Sequence, residues 1–354
     1  MIRIGILGLG YWGPNLARVL GGLDDCRVTA ICDRSSDRLQ RYARLFPDAL
    51  ATQESDQILD RDVVDAVVIA TPTATHYGLA SQALQQGIHT FVEKPLATTS
   101  AQCEQLIALA ADNKVVLFVG HVFLYSAPVA KLKELVTSGE LGDLYYISSS
   151  RLNLGPVRHD VNALWDLAPH DISIMLDLMD DSPVSVSCAG LAYLKDEVHD
   201  VCSLALHFHK KRMGMIHVSW LDPHKKRVMT VVGSEKMAIY DDIEPLEKIK
   251  VYDHSIDAPP HTDSFGEFRV SYRYGDTYSP RLEEVEPLKA ECQSFLRCVI
   301  DGSRPRTDGH NGLKVVRVIE AAQSSLHNGN GRIELNGAAL RGLAAPEVNK
   351  LAVV

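Results

Sequence analysis

No apolar run approaches the roughly 18 residues that a membrane-spanning helix needs, so the chain is not expected to cross a bilayer. The first residues enter a strand pattern directly. They carry no charged n-region or apolar h-region, so no secretory signal is expected. Cysteine is sparse and scattered. The seven thiols are Cys26, Cys32, Cys103, Cys188, Cys202, Cys292 and Cys298; they form no CxxC pair and are odd in number. That pattern predicts reduced, mostly buried thiols in a cytoplasmic protein. Positive charge is in deficit, with 36 Lys and Arg against 45 Asp and Glu and a formal net charge of −9. The deficit argues against nucleic acid as a partner. It leaves an anionic small substrate open, because such a ligand feels local charge. His159, His199, His207, His209 and His217 show no metal-ligand spacing, so no metal is expected. Internal repeats and low-complexity tracts are also absent.

What remains is an ordinary globular composition, 46% hydrophobic and 23% charged over 354 residues. That length predicts two domains, each able to bury its own core. Up to His121, apolar strands and helices alternate. Ile2 to Leu7, Val28 to Cys32, Val63 to Ala70, His89 to Val92 and Val115 to Gly120 read as strands. Alternation of this kind predicts an α/β Rossmann domain, a doubly wound parallel sheet with helices on both faces. After His121 the pattern changes. Strands Tyr145 to Arg151, Val184 to Tyr193, Val201 to His209, Met213 to Leu221, Val228 to Val232 and Met237 to Tyr240 follow one another. Lys210-Lys211-Arg212, Gly233-Ser234 and Lys225-Lys226-Arg227 read as hairpin tips. The second domain is therefore predicted to be α+β with a largely antiparallel open sheet. Helices Pro287 to Ile300 and Gly312 to Asn328 close it. The expected boundaries are 1–121 for dinucleotide binding, 122–336 for substrate and oligomerisation, and a tail at 337–354.

The first strand runs into Gly8-Leu9-Gly10-Tyr11-Trp12-Gly13. A lone GxGxxG is a weak signal, and its context decides. Here it follows a strand and opens a helix. Gly8 suits the tight turn, Gly10 the close approach of a pyrophosphate, and Gly13 helix–strand packing. The helix N-terminus offers free N–H groups and a positive dipole end to that anion. Asp33 ends the second strand about twenty residues further on, where an acid takes the ribose hydroxyls. Its carboxylate repels a 2′-phosphate and favours NAD. Arg34 beside it can offset that charge, so NADP stays open. Thr71, Pro72, His76, Glu93 and Lys94 stand at the ends of later strands, on the expected cofactor side, with Tyr11 and Trp12 in the turn itself.

Two further groups carry acid–base chemistry. Lys94 follows a buried strand and precedes Pro95. The carboxyl ends of such strands face the ligand crevice. Pro95 restricts the preceding residues, and the Lys94–Pro95 bond is a candidate for the cis form. The residues alone leave Lys94 either a proton-transfer group or a surface lysine. In Trp165-Asp166-Leu167-Ala168-Pro169-His170, a helix would set Asp166 and His170 one turn apart, where a carboxylate orients an imidazole and raises its basicity. Pro169 leaves the helix start open, and with it a reading of Asp166 as a cap and His170 as a core residue.

These stretches together carry a resemblance. Gly8 to Asn15 (GLGYWGPN), Ala70 to Tyr77 (ATPTATHY), Val92 to Ala97 (VEKPLA), Gly120 to Pro128 (GHVFLYSAP) and Asp166 to Ile174 (DLAPHDISI) resemble the glucose–fructose oxidoreductase and inositol dehydrogenase family, Gfo/Idh/MocA. The resemblance spans nearly the whole chain. It implies a catalytic set of Lys94, Asp166 and His170, an NAD(P) cofactor, and a homodimer or homotetramer formed through the open face of the second-domain sheet. The stretch before His170 is similar to that of members acting at C3 of a nucleotide-linked hexose. Arg151, Arg158 and Asn162 are then candidate substrate contacts beside Lys94 and His170, with arginine forks able to hold a diphosphate. A free polyol or inositol dehydrogenase is the alternative. The family fold also serves a transcriptional repressor of galactose metabolism, but a regulator has no chemical need for all three catalytic residues.

Overall fold

The computed structural model of the chain describes residues 1–155, 157–158, 161–257 and 271–335. It divides into two compact units, one of residues 1–126 with 284–317 and one of residues 127–283 with 318–354. The expected tail at 337–354 and His159 lie outside the described residues.

The first unit is built on strands β1 (Ile2–Leu7), β2 (Cys26–Cys32), β3 (Leu50–Thr52), β4 (Ala66–Ile69), β5 (His89–Glu93) and β6 (Leu117–Gly120). All pair in parallel, in the order β3-β2-β1-β4-β5-β6. Helices on both faces of such a sheet bury its strands completely. That is why Ala-Val-Val-Ile in β4 and Phe-Val in β5 are continuous apolar runs with no polar alternation. The chain winds outward from β1 in one direction through β3 and in the other from β4. The switch between β1 and β4 opens a ligand crevice at the carboxyl ends of the strands. Helices α1 (Gly13–Gly21), α2 (Ser36–Ala43), α3 (Thr73–Gln85) and α4 (Ser100–Asp112) make the crossovers.

The second unit holds α5 (Ala127–Thr137), β7 (Leu144–Leu154), α6 (Ala163–Met179), β8 (Ser185–Leu191), β9 (Val201–His207), β10 (Met213–Ser219), β11 (Leu221–Gly233), β12 (Met237–Asp241), β13 (Ile249–Asp257), β14 (Ser271–Tyr278) and β15 (Ile333–Glu334). They form one nine-stranded sheet, β14-β13-β12-β11-β7-β10-β9-β8-β15. Its described pairings are antiparallel except β7 with β10. Helix α6 packs on β7, β9 and β10.

Helix α7 (Pro287–Asp301), expected in the second domain, belongs to the first unit, while α8 (Gly309–His327) begins in the first and ends in the second. Leu288, Cys292, Phe295 and Leu296 of α7 join Ile4, Leu16, Leu20, Phe91 and Phe118 in one core. The apolar face of α7 is legible in the sequence, but its periodicity does not name the core it covers. Lys225-Lys226-Arg227 is also placed differently. It lies inside β11, with Lys226 opposite Leu152 and Arg227 opposite Arg151 of β7. The hairpin tip at Lys210 and Lys211 stands, with φ of 56° and 60°.

Candidate active site

The glycine turn after β1 is shaped by what its missing side chains would strike. Gly8 has φ +92°, and a Cβ there would lie 2.7 Å from the Ala70 carbonyl oxygen. At Gly13 a Cβ would lie 1.8 Å from the Gly8 carbonyl oxygen, so α1 can start this close to β1 only with glycine. A Cβ at Gly10 would meet nothing within 4 Å among the described residues, which leaves room for a ligand against bare backbone. Trp12 caps α1 without a side-chain hydrogen bond, and no acidic residue occupies its first turn. The first N–H groups therefore await an outside acceptor. Tyr11 is exposed, and its ring meets Trp12 edge to face at 5.6 Å.

Asp33 is bound into this turn. Its Oδ2 accepts from Leu9 N at 2.6 Å and its Oδ1 from Ser35 N at 2.8 Å. The nearer arginine is not Arg34 but Arg38 on α2, at 3.8 Å from the carboxylate. Arg34 is exposed, and its carbonyl accepts from Gln53. The sequence hid Arg38 because only the turn into α2 brings position 38 back over position 33. These residues fit an NAD pyrophosphate and ribose: Gly10 and α1 for the anion, Asp33 for hydroxyls.

At the far side of the switch, Thr71 and Pro72 follow β4, and Lys94 follows β5, half-buried, with a cis Lys94–Pro95 bond. The sequence placed His76 among the cofactor ligands, and the structure corrects this. His76 is 1% exposed, with Nδ1 2.8 Å from the Pro95 carbonyl oxygen and Nε2 2.9 Å from that of Thr71. Its ring therefore ties the two turns together from inside. Glu93 turns inward as well. It is buried, and its Oε2 accepts from Lys94 N. Burial, only partly offset by the Lys94 charge, pushes its carboxyl up to about 7. His121, after β6, is held down to about 3 by burial first and by the Lys94 charge second.

The acid–base residues of the second unit sit on α6. Asn162 caps that helix, its Oδ1 accepting from Trp165 N at 3.1 Å and its Nδ2 donating to Gln323 at 2.8 Å. It is buried in that duty, which corrects its expected place as a substrate contact. With the helix starting at Ala163, Pro169 lies inside it, and Asp166 and His170 stand one turn apart. Asp166 accepts at Oδ2 from the Trp220 indole, 3.1 Å away, and at Oδ1 from Arg158, 3.3 Å away. Trp220 is 1% exposed, so its N–H is a fixed donor. The sequence missed it, since a donor 54 residues downstream, between β10 and β11, leaves no local signal.

Arg151 requires the largest correction. Instead of facing a substrate it forms a buried ion pair with Asp171, at 2.6 Å and 3.4 Å, both side chains 6% exposed. Its fork anchors α6 to β7 at Asp171, the residue after His170. Strand register decides this: Arg151 points to the helix-covered face of β7, where burial alternates along the strand.

A parallel sheet with a glycine turn built for a dinucleotide defines an NAD-binding oxidoreductase fold. Comparison with known proteins agrees. Residues 2–121 match the oxidoreductase family with an NAD-binding Rossmann fold, and residues 129–239 match the Gfo/Idh/MocA C-terminal domain. The chain belongs to the Gfo/Idh/MocA family of oxidoreductases. It is 24% identical to the UDP-N-acetylglucosamine 3-dehydrogenase of Acidithiobacillus ferrooxidans, over 89% of this chain and 94% of that one. It is 25% identical to the myo-inositol 2-dehydrogenase of Thermotoga maritima, over 92% and 96%. Among solved structures, GenD2 from gentamicin A biosynthesis, in complex with NAD, superposes with a TM-score of 0.79 at 24% identity, covering 95% of this chain and 96% of that one.

Proposed function

We propose that the protein oxidises a sugar CH–OH group, or reduces the matching ketone, at C3 of a nucleotide-linked hexose, using NAD. The observation that carries this is Asp166, fixed between Trp220 and Arg158 one helical turn from His170. A carboxylate held that way orients an imidazole and stabilises its cation. His170 takes the hydroxyl proton, Asp166 orients His170, and Lys94 holds the substrate oxygen. NAD, held by Gly10, the start of α1 and Asp33, would supply the hydride acceptor for the sugar carbon. The similarity to a UDP-N-acetylglucosamine 3-dehydrogenase supports the substrate class.

Arg158 is the candidate substrate arginine that remains exposed enough, at 39%, to meet a diphosphate. The loss of Arg151 from the substrate contacts favours the second reading, a free inositol or polyol dehydrogenase, and the Thermotoga relative points the same way. A screen of nucleotide sugars, free hexoses and inositols with NAD separates the two. We expect Arg158→Ala to raise KM for a nucleotide sugar far more than for any free sugar. If free inositol is the better substrate and Arg158→Ala is silent on KM, the polyol reading replaces the first.

Asp33 sets the cofactor preference. We expect tighter binding of NADH than of NADPH in a fluorescence titration, because the carboxylate repels a 2′-phosphate. Tighter NADPH binding would transfer the leading role to Arg34 and Arg38. The seven cysteines are all free and buried, which supports a reducing, cytoplasmic setting. A homodimer or homotetramer through the open sheet face of the second unit completes the proposal, and sedimentation tests it.

A further inference from the structure

Three buried ionisable groups of the first unit have no task in the chemistry above. Glu291 on α7 is fully buried, and among the described residues neither carboxyl oxygen meets a hydrogen-bond partner. His121 is 1% exposed, with no partner at either ring nitrogen among the described residues. Glu93 is 8% exposed and takes one bond, from its neighbour's backbone N–H. Buried polar groups left unmatched call for an explanation.

The two glutamates belong to one layer. Phe91 of β5 lies opposite Phe118 of β6, and both rings meet Phe295 of α7, at 5.6 and 5.5 Å. Alternate residues of a strand share a face. Glu93 is therefore the next residue past Phe91 toward the crevice, with Gly120 opposite it. Gly120 makes the room: a Cβ there would lie 3.1 Å from Glu93 Cδ and Oε2. On α7, residues four apart stand one above the other, so Glu291 is one turn from Phe295. The same layer of strand and helix thus changes from rings to carboxyls. The other groups around it are Lys94 beside Glu93, His121 and Tyr125 after β6, Glu286 just before α7, Cys292 on α7, Cys26 on β2, and Arg306.

Two carboxylates in a dry layer cannot both keep their charge at low cost. We propose that Glu93 and Glu291 form a proton-holding pair behind Lys94, in which Glu291 keeps its proton and Glu93 is the member that ionises. Burial and then the Glu93 charge raise Glu291 well above the ordinary carboxyl range, which agrees with this order. Glu93 then acts as a positioning residue. Ionised, it attracts the Lys94 ammonium and holds it in position; protonated, as pH falls through neutrality, it releases that hold while Lys94 keeps its charge. The functional half of this proposal rests on Lys94 taking part in the reaction, while the pair itself does not.

Infrared spectroscopy of the protein without substrate tests the pair. At alkaline pH we expect one carboxylic acid band, lost in Glu291→Gln. A second band should appear as pH falls through neutrality, and should be absent in Glu93→Gln. Both glutamines are isosteric with a protonated glutamate, so folding is retained. In turnover, Glu93→Gln should lose the neutral-pH acid limb of the kcat profile, with KM for the sugar changing less than kcat. No acid band at alkaline pH, or a band that survives Glu291→Gln, overturns the pair. A limb that persists in Glu93→Gln overturns its link to Lys94. Bands that titrate as expected, in a protein whose Lys94→Ala variant turns over normally, support the pair and remove the role given to Lys94.

Discussion

Lys94→Ala and His170→Ala should each lower kcat by about a hundredfold or more, the scale on which acid–base groups act. Both side chains are half-buried rather than part of a core, so the variants should fold. Circular dichroism and thermal melting check the folding, and steady-state kinetics across pH check the chemistry. Asp166→Asn should cost less. It keeps the acceptor for the Trp220 indole but loses the charge that stabilises the imidazolium. Its signature should be a histidine limb moved to lower pH, because the protonated ring has lost its counter-charge. Near-normal kcat in His170→Ala would remove His170 from the mechanism, and the same outcome in Lys94→Ala would remove Lys94.

Arg151→Met is expected to act on stability instead. It leaves the buried Asp171 carboxylate without its partner. Breaking a buried pair from one side costs about 3–5 kcal/mol, or roughly 10 °C in melting temperature for a unit of this size. Replacing both residues by apolar ones of similar volume should recover much of that loss. KM for the sugar should move no more for a nucleotide sugar than for a free one. A stable Arg151→Met variant with a selective KM defect would return Arg151 to the substrate site. The contrast with Arg158, which lies more exposed against Asp166, separates anchoring from binding.

Much of the fold was legible along the chain. Continuous apolar strands alternating with helices announce a parallel sheet, and β1, β2, β4, β5 and β6 fall where that pattern puts them, while the three-residue β3, with two exposed residues, left no apolar run to read. The phosphate turn was legible because its glycines answer local needs: a positive φ at Gly8, and contact between neighbouring elements at Gly13. Asp166 and His170 were legible as a pair because helical spacing alone puts them on one face.

The polar residues were harder, because hydrogen-bonding capacity is the same for a ligand contact and a structural tie. His76, Asn162 and Arg151 all carry groups that a cofactor or sugar could use. The fold uses them to join two turns, cap α6 and fasten α6 to β7. Trp220, Arg38 and Glu291 were invisible for the opposite reason. Each acts on a partner far along the chain or across a turn, so no local pattern marks it.

The sequence by itself therefore determined the dinucleotide fold, the cofactor turn, the family and the candidate acid–base residues, since these depend on local spacing and backbone freedom. Only the tertiary structure decided that α7 builds the first core, that Arg151 is spent on Asp171, and that two carboxyls lie buried behind Lys94. Burial and partnership are properties of where elements meet. Periodicity tells which face of an element is covered, but not by what.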